Sequence, residues 1–236
     1  MADQEKLLEI LNNNSDNHKT FYFSGHTHVS YLDNIKNTAF EESENDDLEE
    51  NTDKTSIEAG TACHAFLEKF DFSLLFTPNG ERISFEELSK LVDEAYDKAI
   101  REGAIDNLSL LTKKKLTEVL SNEVFYQLQD CSLYKEQQFL VSLPIKDTFA
   151  KTDEALANSG EEMIFQGAID LLAVGEEEIR VIDYKYSVKN AEQLLEHYRP
   201  QLELYRLAVA KILNQPKERI RLSIVNIYRG FQVDVK

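Results

Sequence analysis

The chain has 236 residues and a formal net charge of −17, from 43 Asp or Glu against 26 Lys or Arg. That length fits one globular domain, or one domain with an appendage. The longest apolar runs are a few residues, too short to span a membrane, and the acidic, amphipathic start MADQEKLLEILNNN does not read as a secretory signal. The two cysteines, Cys63 and Cys131, both read as lying in helix-like stretches. They exclude a disulfide framework and a four-cysteine iron–sulfur cluster built within the chain, and they fit a reducing compartment.

In chain order, a short helical pattern in the first twenty residues (Leu7, Leu8, Ile10, Leu11) gives way to Asn, Ser, Asp and His. Residues 21–24 read as a strand and 29–35 as a short helix. Residues 41–53, EESENDDLEENTD, hold eight acidic side chains and no basic one. Such a run lacks the apolar surface to offset its ordering entropy, so it reads as a solvated, mobile linker within an N-terminal segment, 1–58. Residues 59–236 read as the main domain. In GTACHAFLEKFDF (60–72), Ala62, Cys63, Phe66, Leu67 and Phe70 recur at helical spacing and predict one buried arc. His64 falls at the border of that arc, where a histidine serves either the core or a site. Residues 84–130 read as a helical insertion, with helices over 86–101 and 108–129 broken near Gly103. Its Lys113–Lys115 run is either a solvated face or a phosphate contact.

KEQQFLVSLPI (135–145) predicts a strand ending at Pro144, followed by a polar loop over 148–160. Residues 165–174 and 179–186 predict two strands joined by the Gly-Glu-Glu-Glu turn at 175–178. On the second, Asp183 and Lys185 share one face and Ile182 and Tyr184 the other. Asp170 arrives from the first strand. Two carboxylates beside an ammonium have the chemistry to hold a divalent cation, or to be an ordinary ion pair on a strand. Residues 193–213 read as helical, with Pro200 either kinking the helix or opening a second one. Tyr198, Gln201 and Tyr205 fall along one face, either solvated or in contact with a ligand. A β-branched strand over 221–228 and a short tail over 231–235 follow. The element order is helix, three strands, helix, strand, an α/β (α+β) layer with helices flanking a small mixed sheet.

Charge divides unevenly along the chain. Residues 180–236 hold eleven Lys or Arg and six Asp or Glu, a net of +5, so the first 179 carry −22. A basic segment beside the aspartates suits a phosphate ligand, although uneven charge also serves solubility alone.

The set GTACH, QGAID, VIDYK and YRPQLELY, in that order, resembles the RecB-like nucleases of the PD-(D/E)xK superfamily. The likeness is greatest to the nuclease domain of AddA-type helicase–nucleases. It spans residues 60–228 and is weaker over 29–35. It implies a restriction-endonuclease-like αβββαβ core. By the same resemblance, His64, Asp170, Asp183 and the backbone carbonyl of Tyr184 would ligate Mg²⁺ or Mn²⁺. Lys185 would be the catalytic lysine beside Asp170 and Asp183, and Gln201 and Tyr205 would support the site and contact DNA. Glu136 lies on the strand where such enzymes often carry a glutamate and receives no role. The chain departs from the common pattern after Lys185, where Tyr186 and Ser187 replace Thr and Asp.

The chemistry suits those residue types. A phosphodiester repels hydroxide, and a hard divalent cation neutralises it and acidifies water, while a lysine stabilises developing charge. The resemblance implies DNA phosphodiester hydrolysis on single strands unwound by helicase domains, in double-strand-break repair, in the cytoplasm. It also implies a second subunit carrying another nuclease domain. Two rivals are a non-catalytic DNA-docking module of the same fold and a stand-alone nuclease without a motor.

Overall fold

The computed structural model describes residues 20–22, 54–103, 110–148, 158 and 160–235, with the backbone alone given for 20–22, 54–57 and 110–112. The helical readings over the first twenty residues and over 29–35, the acidic run at 41–53 and most of the 148–160 loop lie outside the described residues. Among the described residues there are six strands: β1 (Thr20–Tyr22), β2 (Ser132–Pro144), β3 (Glu162–Val174), β4 (Ile179–Lys185), β5 (Ile220–Asn226) and β6 (Phe231–Val235). The α-helices are α1 (Lys54–Lys69), α2 (Phe85–Arg101), α3 (Leu110–Leu120), α4 (Glu123–Tyr126) and α5 (Ala191–Leu213). The predicted order of helix, three strands, helix, strand is α1, β2, β3, β4, α5, β5. The short C-terminal tail is β6, hydrogen-bonded antiparallel to β5. Cys131 lies in the bend before β2 rather than in a helix.

Local chemistry explains the helix ends. Ser84 caps α2 and exchanges hydrogen bonds with Glu87, and Asn190 does the same for α5 with Gln193, so orphan amides of each first turn are satisfied. Asn214 ends α5 in the left-handed conformation (φ 51°), which Asn tolerates better than most side chains. Between those caps α5 is one helix that runs through Pro200, so no second helix starts there. The proline costs one amide donor, and the buried Leu194 and Tyr198 before it and Leu202 and Tyr205 after it hold the helix on the sheet.

Strand β3 is the axis of the mixed sheet. β2 pairs antiparallel along its whole length, from Ser132–Val174 to Pro144–Glu162. Its other edge is shared. β1 runs parallel beside Ile164–Gln166, and β4 runs antiparallel beside Leu171–Val174. Residues 167–170 lie between those two ladders. β4 and β5 are parallel, with α5 as their crossover, and β6 closes the far edge.

Two apolar cores flank the sheet. Leu194, Tyr198, Leu202, Tyr205 and Val209 of α5 pack against Phe139, Phe165, Val181 and Ile224 on one face. On the other face, α1 to α4 pack Cys63, Phe66, Tyr96, Leu116 and Phe125 against Leu171, Ala173, Ile182, Tyr184 and Val225. Leu202 is fully buried between α5 and the sheet. Leu202→Ala should therefore destabilise the fold by about 2–5 kcal/mol, read as a lower urea midpoint.

Candidate metal and catalytic site

The faces of β2 and β3 are exchanged at a single register position. On β3, Met163, Phe165 and Ile169 face α5, yet beyond Asp170 it is Leu172 that faces α5 while Leu171 and Ala173 face α1 to α4. On β2, Phe139, Val141 and Leu143 face α5, as does Tyr134 on the other side of Glu136, while Leu133 faces away. Strict alternation would not allow this. The hinge of the exchange is Glu136, whose φ of 46° is left-handed, between the paired positions Lys135–Leu171 and Gln137–Ile169. That register sets Glu136 opposite Asp170. A left-handed non-glycine residue costs about 1–2 kcal/mol, and such strain gathers where a side chain must be aimed.

The aim is towards α1. His64 Nδ1 lies 3.8 Å from Asp170 Oδ1. His64, Glu136 and Asp170 each offer one ligand atom, all within 4.8 Å of one another. Atoms bound across a cation at 2.0–2.4 Å lie about 4–5 Å apart at most, so the spread suits one divalent ion. The helix holds His64 at this border because Cys63, Phe66 and Leu67 are buried while His64 keeps 18% of its side chain exposed. Its ring meets Tyr184 edge-on, with centroids 5.7 Å apart. Gly60, one turn earlier, permits the close approach, since a Cβ there would stand 3.2 Å from Tyr186 Cβ.

Asp170 is 5% exposed, and its Oδ2 accepts a 2.6 Å hydrogen bond from the Tyr184 amide, directly past the end of the β3–β4 ladder. Asp183 and Lys185 project towards α5, as alternation predicts. Lys185 Nζ is 2.8 Å from Asp183 Oδ2 and 4.7 Å from the centre of the Tyr198 ring. Both are nearly buried. The site thus opens through the sheet, with His64 and Glu136 on the α1 side and Asp183 and Lys185 on the α5 side.

The titration of these acids reflects crowding. Burial, then the negative charge of Asp170, pushes the Glu136 carboxyl up to about 7. Burial pushes Asp183 up to about 6, opposed by Lys185 and aided by Asp170. The Tyr184 hydroxyl is buried and makes no hydrogen bond to any described residue. Acids held partly protonated, with an imidazole and an orphaned hydroxyl beside them, fit a cation and its hydration.

Gln201 and Tyr205 are interior groups. Gln201 Nε2 donates to Tyr205 Oη at 3.0 Å, and the Tyr205 ring packs edge-on against Phe139. Burial and then Asp183 raise the Tyr205 phenol well above its ordinary range. The structure therefore brings His64, Asp170, Asp183, Lys185 and Tyr184 to one locus and sets Gln201 and Tyr205 behind it. Glu136 joins the cluster. The sequence signal for it was its place in a strand, but its aim depends on a left-handed residue that strand periodicity does not reveal.

Comparison with known proteins gives the family of the chain. The family model of the PD-(D/E)XK nuclease superfamily matches residues 29–235. Three similar proteins are named as subunits of an ATP-dependent helicase/nuclease. The one from Clostridium botulinum (strain Alaska E43 / Type E3) is 28% identical over 70% of this chain and 13% of its own length. That from Lachnoclostridium phytofermentans is 24% identical over 80% of this chain and 16% of its own. That from Oceanobacillus iheyensis is 26% identical over 70% of this chain and 13% of its own. The chain thus spans 13–16% of the length of these relatives. A family match over most of the chain shows that this protein belongs to the PD-(D/E)XK nuclease superfamily.

Proposed function

We propose that this chain hydrolyses DNA phosphodiesters with Mg²⁺ or Mn²⁺. In this reading residues 59–236 are the nuclease domain of an ATP-dependent helicase–nuclease acting in double-strand-break repair in the cytoplasm, with 84–130 as a helical insertion. Helicase domains and a second subunit would be its partners, feeding it single strands as an exonuclease. The observation that supports it most is the convergence of His64, Glu136 and Asp170 beside the Asp183–Lys185 pair, where β3 and β4 part.

His64, Asp170, Asp183 and the Tyr184 carbonyl would hold the ion, with Glu136 as a further carboxylate. A bound divalent cation supplies Lewis acidity and neutralises phosphate charge. Asp170 is oriented by the Tyr184 amide. Lys185, held between Asp183 and the Tyr198 face, keeps a buried positive charge for the phosphate oxygens as their charge grows. Gln201 and Tyr205 stiffen the α5 wall behind Asp183 and would act through it.

Three outcomes are expected. Linear DNA is cut in Mg²⁺ or Mn²⁺ but not in EDTA, Asp170→Asn abolishes cutting, and Lys185→Ala slows it by about 10²–10³. A gel assay decides this, and cutting that persists in both variants overturns the site. Glu136→Gln should weaken Mn²⁺ binding at least about tenfold by calorimetry, and unchanged affinity would remove Glu136 from the ligand set.

The third concerns pH. Glu136 at about 7 and Asp183 at about 6 stand above their ordinary values of 4.5 and 3.8, so folding favours their protonated forms. Their contribution to stability is full below those ordinary values and is lost progressively as pH rises from them to about 6 for Asp183 and about 7 for Glu136. In EDTA the melting temperature should fall across that interval, and Glu136→Gln should flatten the upper half. Mn²⁺ affinity should rise over the same interval, because binding displaces those protons. Scanning calorimetry and Mn²⁺ titration at stepped pH read both, and a melting temperature that climbs over this interval contradicts the assigned electrostatics.

A further inference from the structure

Beside the carboxylates lies a patch that the ion-binding role does not use. β4 leads from Lys185 into Tyr186, whose ring meets that of Tyr228 edge-on at 5.5 Å between centroids. Tyr228 follows the parallel strand β5 and keeps 40% of its surface exposed, one of few large apolar side chains so placed among the described residues. Lys115 of α3 reaches across to this pair. Its Nζ donates to the Tyr228 carbonyl at 2.6 Å and stands 3.5 Å from the centre of the Tyr228 ring. The loops that carry these rings are tied together. Asn226 Nδ2 donates to the Lys189 carbonyl at 3.1 Å, Arg229 Nε donates to the Val188 carbonyl at 2.6 Å, and the Arg229 amide donates to Asn226 Oδ1 at 3.0 Å. The patch is therefore a built surface, with two aromatic rings, Lys115 across them and Arg229 tied alongside, drawn from two loops and a helix.

Its position relative to the site is fixed by two short rulers. Tyr186 lies just past the end of β4, two residues beyond Tyr184, a span of about 6.6 Å in extended chain. Gly60 and His64, which they touch, are one helical turn apart on α1, about 6 Å. The aromatic pair thus stands one step along the chain from His64.

We infer that Tyr186, Tyr228 and Lys115 form a stacking platform for an unpaired base of a single DNA strand, with Lys189 and Arg229 beside it for the flanking phosphates. The inference rests on the DNA-nuclease reading and says where the strand lies on the protein. An exposed aromatic surface edged by cations is the chemistry by which single strands are held without regard to sequence, because every base has a π face and every linkage a negative charge. In duplex DNA the base faces are already stacked, so the platform selects single strands. A protein partner fits less well, since two rings fall far short of the roughly 1,000 Å² that a stable interface needs.

Fluorescence anisotropy in EDTA, which prevents cutting, tests this with a labelled 20-nucleotide oligo-dT, an abasic strand of equal length and a duplex. Tyr228→Ala should weaken oligo-dT binding about 5- to 100-fold, leave abasic-strand and duplex binding unchanged, and keep the wild-type melting temperature. Tyr228→Phe should bind like wild type. Equal oligo-dT affinity in wild type and Tyr228→Ala overturns the platform. So does an equal loss on the abasic strand, and so does a wild-type protein that binds no oligo-dT. Parallel cutting assays separate this from the nuclease reading: failure of the platform leaves metal-dependent cutting intact, whereas failure of the nuclease reading shows as an absence of cutting whatever Tyr228 does.

Discussion

Two buried carboxylates impose the main constraint on this molecule. Asp170 and Asp183 sit where an unpaired ionised group costs several kcal/mol, and much of the surrounding structure offsets that cost. The Tyr184 amide is free to serve Asp170 because the pairing of β3 with β4 stops at Leu171–Ile182. Lys185 serves Asp183, and the face of Tyr198 serves Lys185 in turn. What remains uncompensated is visible in the raised pKa values of Asp183 and Glu136, and it is this unfavourable charge that a cation would relieve.

Charge on the larger scale follows the same logic. An acidic chain repels a polyanion at a distance. The net positive charge of residues 180–236 is placed on β4, α5, β5 and their connecting loops, which are the elements that line the α5 side of the site. Lys185, Lys189 and Arg229 all come from this segment.

Much of the core was legible in the sequence because it obeys simple periods. The buried arc of α1 and the alternation on β4 each depend on neighbours in the chain. Asp183 and Lys185 share a face because nothing interrupts β4 between them. Glu136 was not legible, since its direction depends on one left-handed residue and on a partner strand thirty-odd positions away. The continuity of α5 through Pro200 was also beyond local reasoning, because burial of residues before and after the proline against the sheet overrides its local preference. Gln201 and Tyr205 left both a solvated and a ligand-facing reading open, and the depth of the α5 core places them inside.

The exchange of faces at Glu136 and Asp170 has a further consequence for how the sheet finds its alignment. In a strand of uniform alternation, a slip of one residue is punished by turning every apolar side chain to the wrong side, but a slip of two restores the pattern. Here a two-residue slip of β2 along β3 would move the exchange on one strand out of step with the other. Leucines and phenylalanines meant for α5 would then face residues meant for α1 to α4. The pair that aims the acids therefore also acts as an index mark, making one alignment of the central strands better than both its near and its next-nearest competitors.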